Sequence, residues 1–570
     1  MPASANNLST TRLLDSRSTS SALDWRQLAV YSEWVLAACV SAIVLRRHWQ
    51  NLHGAGGLWR DEAHTAELAQ LPTWSEILGN LQWDSFPILS TALLRAWCNL
   101  PGGSSDEGLR WFGMLVGVAI LASLWWMAYR AHGGPPSLAL LLWGLSPFAL
   151  RFGDSVRPHG LGFLWIVLAW SAISTVVPGS VPRGSGGDGD RNADPVVPLR
   201  WTSWLWSGAL GICAVQTLFP NALILGGLLV AAAIAACAAG RRGRAIGLLV
   251  VGAVVATTLL PYLPAIRTAS EWSGVSDGKA GGIVDDVRRL YVTLAFSGAL
   301  FAIVWGLLPC VLVVATAYTW FSRSLAVQAR RYRALFGLLA GALAIGGYFA
   351  LMARGSFMPQ PWHWLPVLLL AALAAEQILG GWRAMAAARL GLLVLGVLVS
   401  EKTNRWLIGN PLTNIDQAAA RLNLDARPGD LVIVEKWYWG VSFNRYYHGR
   451  APWITSPPME VINLHRYDML QRQMQAPDPT APIREAIAET LQAGGRVWLV
   501  GNLPQVIDEQ DLNKIRGQKH DTTAYLVAWS LEVADFLRQH ELYRSELDLP
   551  DDHLVSIEKA TLGVAKGWRP

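Results

Sequence analysis

Two adjacent carboxylates and a nearby histidine follow the first long apolar segment of the chain. Residues 58–64 contain Arg60, Asp61, Glu62 and His64. A carboxylate near a membrane surface can take a proton from an attacking hydroxyl as a general base, and an adjacent acid can orient a substrate or ligate a metal. The simpler interpretation is that Asp61 caps a short interfacial helix. The pair of acids alone does not decide between the two.

A second concentration of charge lies at residues 151–158, between two apolar segments. Arg157 could neutralise a phosphate, because a guanidinium keeps its charge and its fork of donors fits phosphate oxygens. Asp154 could be a second acid or a metal ligand, and Arg151 begins the same stretch. The alternative is that Asp154 and Arg157 form a solvated ion pair at helix ends.

Three further ionisable residues are weaker candidates. Asp84 precedes a short apolar segment, and Arg354 and His363 lie in or beside the polar stretch 353–364. Arg354 could bind an anion. A lone histidine between two tryptophans, as at His363, is more typical of a membrane interface than of a ligand site. No serine-hydrolase, zinc-protease or phosphate-loop motif occurs in the sequence.

The composition is typical of a membrane protein. Of 570 residues, 52% are apolar and only 15% are charged, which is too apolar for soluble domains of this length. The 29 Trp and 13 Tyr agree, because amphipathic rings collect at the two membrane interfaces. The net charge of +6 reflects arginines in short loops, which indicates membrane topology and not nucleic-acid binding. The five cysteines form no disulfide or zinc pattern.

The apolar segments predict about eleven spanning helices, since a helix needs about 20 mostly apolar residues to cross a bilayer. These segments are 28–45, 111–129, 136–150, 159–177, 201–219, 222–239, 245–266, 290–321, 332–352, 364–379 and 386–400. The segment 86–100 is interrupted by Arg95 and bounded by prolines. We therefore expect it to lie along the outer membrane interface as a short helix.

Arginine clusters in the loops between these segments mark the cytoplasmic side of the membrane. This assignment puts the acidic pair on the outer side, with Arg46 and Arg47 as the one local exception to the rule. We predict a disordered cytoplasmic tail at 1–26, a transmembrane domain at 27–402 whose outer loop 46–110 contains interfacial helices, and an extracytoplasmic domain at 403–570.

The polar last third of the chain predicts a small α/β domain. Segments 431–435 and 496–500 are expected to form short buried strands, and 554–558 a further strand. Segments 482–492 and 525–539 have helical periodicity. The predicted fold class is therefore a polytopic α-helical membrane protein with a C-terminal α/β domain.

These features together resemble the integral-membrane GT-C glycosyltransferases, specifically the branch of the protein O-mannosyltransferases and the lipid A aminoarabinose transferase. In that branch the first outer loop carries an Asp-Glu motif, here Asp61 and Glu62. A short helix then opens with Asp-x-His-Pro-Pro-Leu, matched by residues 84–89. The next outer loop resembles Arg-Tyr-x-Gln-Glu-Ala-Arg-Pro-Tyr, matched by residues 151–159.

Several positions depart from the family pattern. Phe86 replaces the family histidine, and Ser155 occupies the place of the usual glutamate, with Asp154 one position earlier. A late Arg-Tyr pair before a proline appears here as Trp362 and His363. The resemblance thus implies a divergent member, with altered donor or acceptor recognition or with lost activity.

The resemblance implies inverting transfer of a sugar from a polyprenyl-phosphate donor to an acceptor hydroxyl of a lipid, glycan or protein. The residues assigned to catalysis are Asp61, as general base, and Glu62. The residues assigned to substrate binding are Asp84, Asp154, Arg157, Arg151, His64, Arg354 and His363. Metal use stays open, with Asp61, Glu62 and Asp154 as the carboxylates that could ligate a divalent ion.

Two other functions are compatible with the sequence: a multi-spanning lipid or solute transporter, and a catalytically inactive GT-C-like binding protein. Transporters place ionisable groups near the bilayer midplane, in broken helices of two related halves. Here the acids cluster in predicted outer loops, and the sequence has no evident internal repeat. This distribution favours the enzyme.

Overall fold

The computed structural model describes residues 25–84, 86–179, 201–272, 282–355, 359–501, 503, 522–550 and 554–570. A helical bundle extends to Gly409, and an α/β unit follows from Ile415. The predicted tail at 1–26 lies outside the described residues, except that the first helix already begins at Trp25.

The described residues of the bundle mostly form helices. In chain order they are α1 (Trp25–Gly54), α2 (Arg60–Gln70), α3 (Trp74–Asn80), α4 (Ile88–Cys98), α5 (Asp106–His132), α6 (Ser137–Ala139), α7 (Pro147–Gly153), α8 (Pro158–Val176), α9 (Trp201–Val215), α10 (Asn221–Ala238), α11 (Arg242–Thr257), α12 (Leu263–Trp272), α13 (Ile283–Leu294), α14 (Ala299–Phe321), α15 (Leu325–Gln328), α16 (Arg331–Arg354), α17 (Leu365–Leu379) and α18 (Ala386–Gly409).

Nine helices of the described residues are long and apolar enough to cross a membrane. Each of them overlaps one of the predicted spans. The two other predicted spans differ, because α9 has 15 described residues and the segment 136–150 is not a continuous helix. Helix α4 has 11 residues, about 16 Å in length, and is too short to cross about 30 Å of hydrocarbon.

The segment 136–150 is broken into three pieces that are buried throughout. Helix α6 passes into a π-helical turn at Leu140–Gly144, and α7 begins at Pro147, which has no N–H to donate. The carboxylate of Glu376 accepts the N–H groups of Leu138 and Ala139 at 2.8 and 2.9 Å. Side chains thus satisfy backbone groups that the broken helix leaves free, as an apolar environment requires.

The predicted span 290–321 is two helices. Amphipathic α13 ends at Leu294, and α14 begins only after Gly298, whose φ of +116° suits glycine. Helices α10 and α16 pack closely at Gly227, which has no Cβ. A Cβ at this position would lie only 2.7 Å from the backbone nitrogen of Ala344. Small residues let helices of a membrane bundle approach in this way.

The α/β unit contains a five-stranded mixed sheet in the order β2-β1-β3-β5-β4. Its strands are β1 (Leu431–Val434), β2 (Trp453–Thr455), β3 (Arg496–Val500), β4 (Glu541–Leu547) and β5 (Leu562–Trp568), and its helices are α19 (Ile415–Asp425), α20 (Gly440–Tyr446), α21 (Tyr467–Gln475), α22 (Ala481–Gln492) and α23 (Thr522–His540). Strands β2, β1 and β3 run parallel, whereas β5 is antiparallel to both β3 and β4.

The strand predicted at 554–558 is wrong. Glu558 forms only an isolated bridge with Thr413, and the last strand begins at Leu562. The predicted strands at 431–435 and 496–500 and the predicted helices at 482–492 and 525–539 are present with small shifts in their ends. Leu554 and Ile557, the residues that favour a strand here, are each 37% exposed, and they have no neighbouring strand to pair with in the described sheet.

Candidate active site

Helix α2 holds Asp61 in its first turn. One face of the helix, which includes Ala63, is buried against Leu94 and other apolar side chains. The Asp61 side chain keeps 17% of its surface exposed. The first N–H of the helix, that of Arg60, donates to Glu558 of the α/β unit at 3.2 Å. A carboxylate at a helix N-terminus satisfies an otherwise free donor and interacts favourably with the helix dipole.

Arg157 approaches Asp61 from the loop before α8. Its Nη1 donates to the backbone carbonyl of Asp61 at 3.2 Å and to Thr65 Oγ1 at 3.4 Å. The charged groups themselves are further apart, with 3.7 Å between Arg157 Nη2 and Asp61 Oδ2. The guanidinium also lies 4.8 Å from the ring centre of Phe86. Backbone contacts and an aromatic face thus hold Arg157 in place, while the charge contact remains loose.

Asp61 is ionised at neutral pH. Burial by itself would raise the pKa of its carboxyl, but the charges of Arg157 and then Arg60 outweigh burial and hold the pKa below its usual range. Arg60 Nε lies 3.3 Å from Asp61 Oδ1, and the Arg60 guanidinium is 4.2 Å from the ring centre of Tyr438. The result is a carboxylate between two cations near the surface of the junction.

Glu62 has a different environment from its neighbour. It is completely buried, and its Oε1 accepts from Arg110 Nη1 at 2.6 Å and from the backbone N–H of Val156 at 3.1 Å. Arg110 also donates to the carbonyl of Gly57 at 3.0 Å. The pair joins the start of α5 to α2 and to the loop that carries Arg157. Glu62 therefore holds together the two segments that carry Asp61 and Arg157, namely α2 and the loop before α8.

His64 links Asp84 to the α/β unit. Its Nδ1 accepts the backbone N–H of His465 at 3.1 Å, and its Nε2 lies 3.7 Å from Asp84 Oδ2. Because Nδ1 accepts, the proton of a neutral His64 is on Nε2 and faces Asp84. The rings of His64 and His465 stack with centres 4.8 Å apart. Asp84 and His64 are thus brought together one helical turn from Asp61.

Arg151 and Asp154 form a buried polar group with α1. His48 Nδ1 lies 2.9 and 2.7 Å from the two Asp154 oxygens, and Arg151 donates to Asn51 Oδ1 at 2.7 Å and to the carbonyl of Asn410 at 2.8 Å. Burial raises the pKa of Asp154. Burial and then Arg110 lower the pKa of Arg151 to about 9. Among the described contacts, no hydrogen bond or ion pair joins either residue to Asp61.

The two late candidates have different environments. His363 lies at the turn before α17, where its Nδ1 accepts the N–H of Gln360 at 2.9 Å, and it is close enough to Asp61 and Arg157 to interact with their charges. Its neighbour Trp362 packs against Trp59 with ring centres 5.4 Å apart. Arg354 is exposed at the end of α16.

Several residues at the site were not predicted from the sequence, and most belong to the α/β unit. Tyr446 accepts the Leu58 N–H at 2.6 Å and donates to Asp106 at 2.5 Å. Glu558 is 3.4 Å from Arg60 Nε, and burial raises the pKa of its carboxyl to about 7. The site thus lies at the contact between bundle and α/β unit. Periodicity carries no information on such contacts between distant parts of the chain.

Two more residues of the α/β unit face this cluster. Burial and then His64 hold the pKa of His465 well below its usual range, so the ring is neutral. Its Nε2 is buried and has no hydrogen-bond partner among the described atoms. Burial and then the charge of Asp61 raise the pKa of Tyr467 to about 12. His465 and Tyr467 are therefore uncharged hydrogen-bonding side chains beside the Asp61 carboxylate.

The predicted carboxylate ligands do not form a metal site in this arrangement. Glu62 is occupied by Arg110, Asp154 by His48, and Asp61 lies between two arginines. Three or more histidine, cysteine or acidic side chains suited to one ion do not occur together in the described residues. We therefore derive no catalytic step through a metal.

Comparisons with known proteins identify the fold. No protein-family profile matches the chain, and no curated protein matches it in sequence. Among solved structures, ArnT from Cupriavidus metallidurans bound to undecaprenyl phosphate matches with a TM-score of 0.50 and 12% identity, covering 92% of this chain and 97% of that one. The apo form of the same ArnT gives the same values.

An oligosaccharyltransferase from Archaeoglobus fulgidus, tethered to an acceptor peptide, matches with a TM-score of 0.46 and 11% identity, covering 90% of this chain and 73% of that one. The expectation from sequence is confirmed at the level of architecture by the ArnT match, together with the nine apolar helices of the described residues. The chain is an integral membrane protein with the GT-C fold of membrane glycosyltransferases such as ArnT.

Proposed function

We propose that this protein transfers a sugar, with inversion, from a polyprenyl-phosphate donor to an acceptor hydroxyl at the extracytoplasmic membrane face. The observation that carries the proposal is the loose pair of Asp61 and Arg157. Both side chains stay partly exposed, at 17% and 13%, among neighbours that are mostly buried. An accessible carboxylate beside an accessible guanidinium supplies a proton acceptor and a phosphate ligand together.

In the proposed step, the acceptor oxygen attacks the anomeric carbon of the donor and forms the new glycosidic bond. The bond between that carbon and the phosphate oxygen breaks, and the polyprenyl phosphate leaves with the electron pair. Asp61 takes the proton of the acceptor hydroxyl. Arg157 stabilises the charge that develops on the departing phosphate. The chemistry balances without a further reactant.

The two arginines beside Asp61 impose an order on these events. A carboxylate whose pKa is held low is a weak base, because proton transfer to it is unfavourable. A donor phosphate that binds Arg157 opens the 3.7 Å contact, withdraws part of the positive charge and adds negative charge nearby. Each change raises the pKa of Asp61. Donor binding thus prepares the base before the acceptor reacts.

The α/β unit supplies the proposed acceptor side of the site. His465, Tyr467 and Glu558 surround the start of α2, and the buried Nε2 of neutral His465 has no hydrogen-bond partner among the described atoms. We assign supporting roles to Glu62, Asp84 and His64, which hold α2 and its neighbours in place. The undecaprenyl phosphate bound to ArnT supports the choice of donor class, because the two chains share a fold.

The central test compares Asp61→Asn with a matched carboxylate-to-amide change at an exposed ion pair, Asp478→Asn. A deletion strain is complemented with each variant, and envelope glycans and lipids are profiled by mass spectrometry. We expect a sugar-bearing product that is absent from the deletion strain and is restored by the wild type and by Asp478→Asn. Asp61→Asn should give about 10²- to 10⁴-fold less product. Full restoration by Asp61→Asn would exclude it as the base.

Arg157 is tested by binding, because binding does not require knowledge of the sugar. Purified protein is titrated with undecaprenyl phosphate as the probe. Loss of a charge-assisted hydrogen bond in Arg157→Gln should weaken binding about tenfold to a hundredfold, and Arg157→Lys should recover part of it. Arg484→Gln, at a distant exposed ion pair, is the control. Equal affinities for wild type and Arg157→Gln would remove Arg157 from the donor site.

A further inference from the structure

Four cations gather where α1 and α18 end beside the α/β unit. Arg46 and Arg47 lie on α1, and Lys402 and Arg405 lie on α18. The acid among them is Glu401, which accepts from Arg47 Nη2 at 2.8 Å and from Arg405 Nε at 2.7 Å. This cluster explains the position of Arg46 and Arg47, the exception to the charge rule, as part of a positively charged surface and not as a topology signal.

Arg47 is the buried member of the cluster. It is only 3% exposed, and its Nη1 has no hydrogen-bond partner among the described atoms. A buried guanidinium N–H without an acceptor is costly, so such a group indicates a missing partner. Its other nitrogen, Nη2, reaches Glu401, which lines an adjoining open groove. An anion in this groove would be within the reach of the cluster.

The groove lies along one face of α18. It has a volume of about 610 Å³ and is lined by Leu398, Glu401, Lys402, Arg405 and Trp406. Residues 395, 398, 402 and 405 follow each other at intervals of three and four, so they share this face of the helix. The face changes along its length from exposed leucines to exposed cations.

The order of groups on this face matches an amphiphile. Leu395 and Leu398 are 49% and 68% exposed on a helix that is apolar enough to cross the membrane. Lys402 and Arg405 follow toward the α/β unit, and the exposed Trp406 marks an interface, where tryptophan rings collect. A soluble anion would use the cations alone, whereas a lipid uses both halves of the face.

We propose that this cationic groove, lined by Leu398, Glu401, Lys402, Arg405 and Trp406 and bordered through Glu401 by Arg47, binds the phosphate headgroup of an anionic membrane phospholipid. Acyl chains lie along Leu395 and Leu398, and the phosphate lies between Lys402 and Arg405. Cations beside an exposed apolar surface at a membrane interface attract anionic lipid headgroups by this combination of charge and apolar contact. The site is separate from the Asp61–Arg157 pair and does not depend on the proposed sugar transfer.

The test uses the purified full-length protein and native mass spectrometry. Wild type, the double variant Lys402→Gln with Arg405→Gln, and a control double variant Arg241→Gln with Arg242→Gln are each titrated with phosphatidylglycerol and with phosphatidylcholine. The control removes two charges at the start of α11, from Arg241 just before the helix and from Arg242, its first residue. Wild type and control should prefer phosphatidylglycerol. The groove variant should lose about thirtyfold in affinity for it, since each cation contributes about fivefold.

Further arms separate the alternatives. Lys402→Arg with Arg405→Lys keeps both charges and should retain the preference, which shows that loss in the glutamine variant is not a folding defect. Glycerol phosphate, a headgroup without tails, should not compete at millimolar concentration. The proposal is overturned if wild type binds both lipids equally, if the control loses as much affinity as the groove variant, or if glycerol phosphate displaces the lipid.

Discussion

Changing Glu62 to glutamine should reduce stability far more than the same kind of change at Asp61, its neighbour in sequence. Glu62 is completely buried and accepts two hydrogen bonds, from Arg110 at 2.6 Å and from the Val156 N–H at 3.1 Å. Removing one charge of a buried ion pair leaves its partner uncompensated and costs about 3–5 kcal/mol. Glutamine retains an acceptor oxygen, and Arg110 retains the carbonyl of Gly57. We therefore expect a loss near the lower end, about 3 kcal/mol.

The assay is the apparent Tm of the purified protein in detergent for four variants: Glu62→Gln, Asp61→Asn, Arg110→Met and the double variant Glu62→Gln with Arg110→Met. The Asp61 carboxylate keeps part of its surface exposed and makes only longer contacts, at 3.3 and 3.7 Å, so Asp61→Asn should lower the apparent Tm less than Glu62→Gln does. The double variant should recover part of the loss of Glu62→Gln, because replacing both members of a buried pair removes the unpaired charge.

Glu62 is not a structural support if Glu62→Gln has the same apparent Tm as the wild type but forms no glycan product. That result would make Glu62 part of the chemistry and not a support for it. A double variant that is less stable than the sum of its two single variants would also contradict the ion-pair argument, because removal of both partners would then cost more than removal of each alone.

Two further predictions concern the α/β unit and its contact with α2. Burial raises the pKa of Glu435 and of Glu558 from 4.5 to about 7, so between these values the folded state binds more protons than the unfolded state and stability falls as pH rises. Apparent Tm should therefore decline from pH 5 to pH 8, and Glu435→Gln with Glu558→Gln should flatten the decline; an unchanged slope would contradict the assignment. Tyr446→Phe removes the hydroxyl that accepts the Leu58 N–H and donates to the Asp106 carboxylate. The free energy of unfolding should fall by about 1–3 kcal/mol, which a lower apparent Tm would show.

Much of the bundle follows from the sequence because a long apolar segment has few alternatives in a bilayer. The nine long helices overlap predicted spans for this reason. The breaks in the segment 136–150 do not follow from the sequence alone. Its prolines allow breaks, but contacts such as those of Glu376 with the N–H groups of Leu138 and Ala139 are needed to make them stable. The strand predicted at 554–558 is wrong because strand propensity needs a pairing partner, and in this segment only Glu558 pairs, through one isolated bridge with Thr413.

Some of the residues that meet at the candidate site were named from the sequence. Asp61 and Arg157 were named from their types and from the family resemblance, and the structure brings them within 3.7 Å. Asp84 and His64 also meet, at the same end of α2. Asp154 and Arg151 instead pair with residues of α1 and with the Asn410 carbonyl. The C-terminal contributions of His465 and Glu558 follow from a long-range contact that no local pattern encodes.

The sequence by itself determined that this chain lies in a membrane, that its charges collect at helix ends, and that an α/β unit follows. Those features depend on local composition and periodicity, which each segment carries alone. Only the tertiary structure decided which of two adjacent acids is buried against Arg110 and which stays exposed beside Arg157. Successive residues of a helix point in directions about 100° apart, so the partner on each side, and not the sequence position, separates the roles of Asp61 and Glu62.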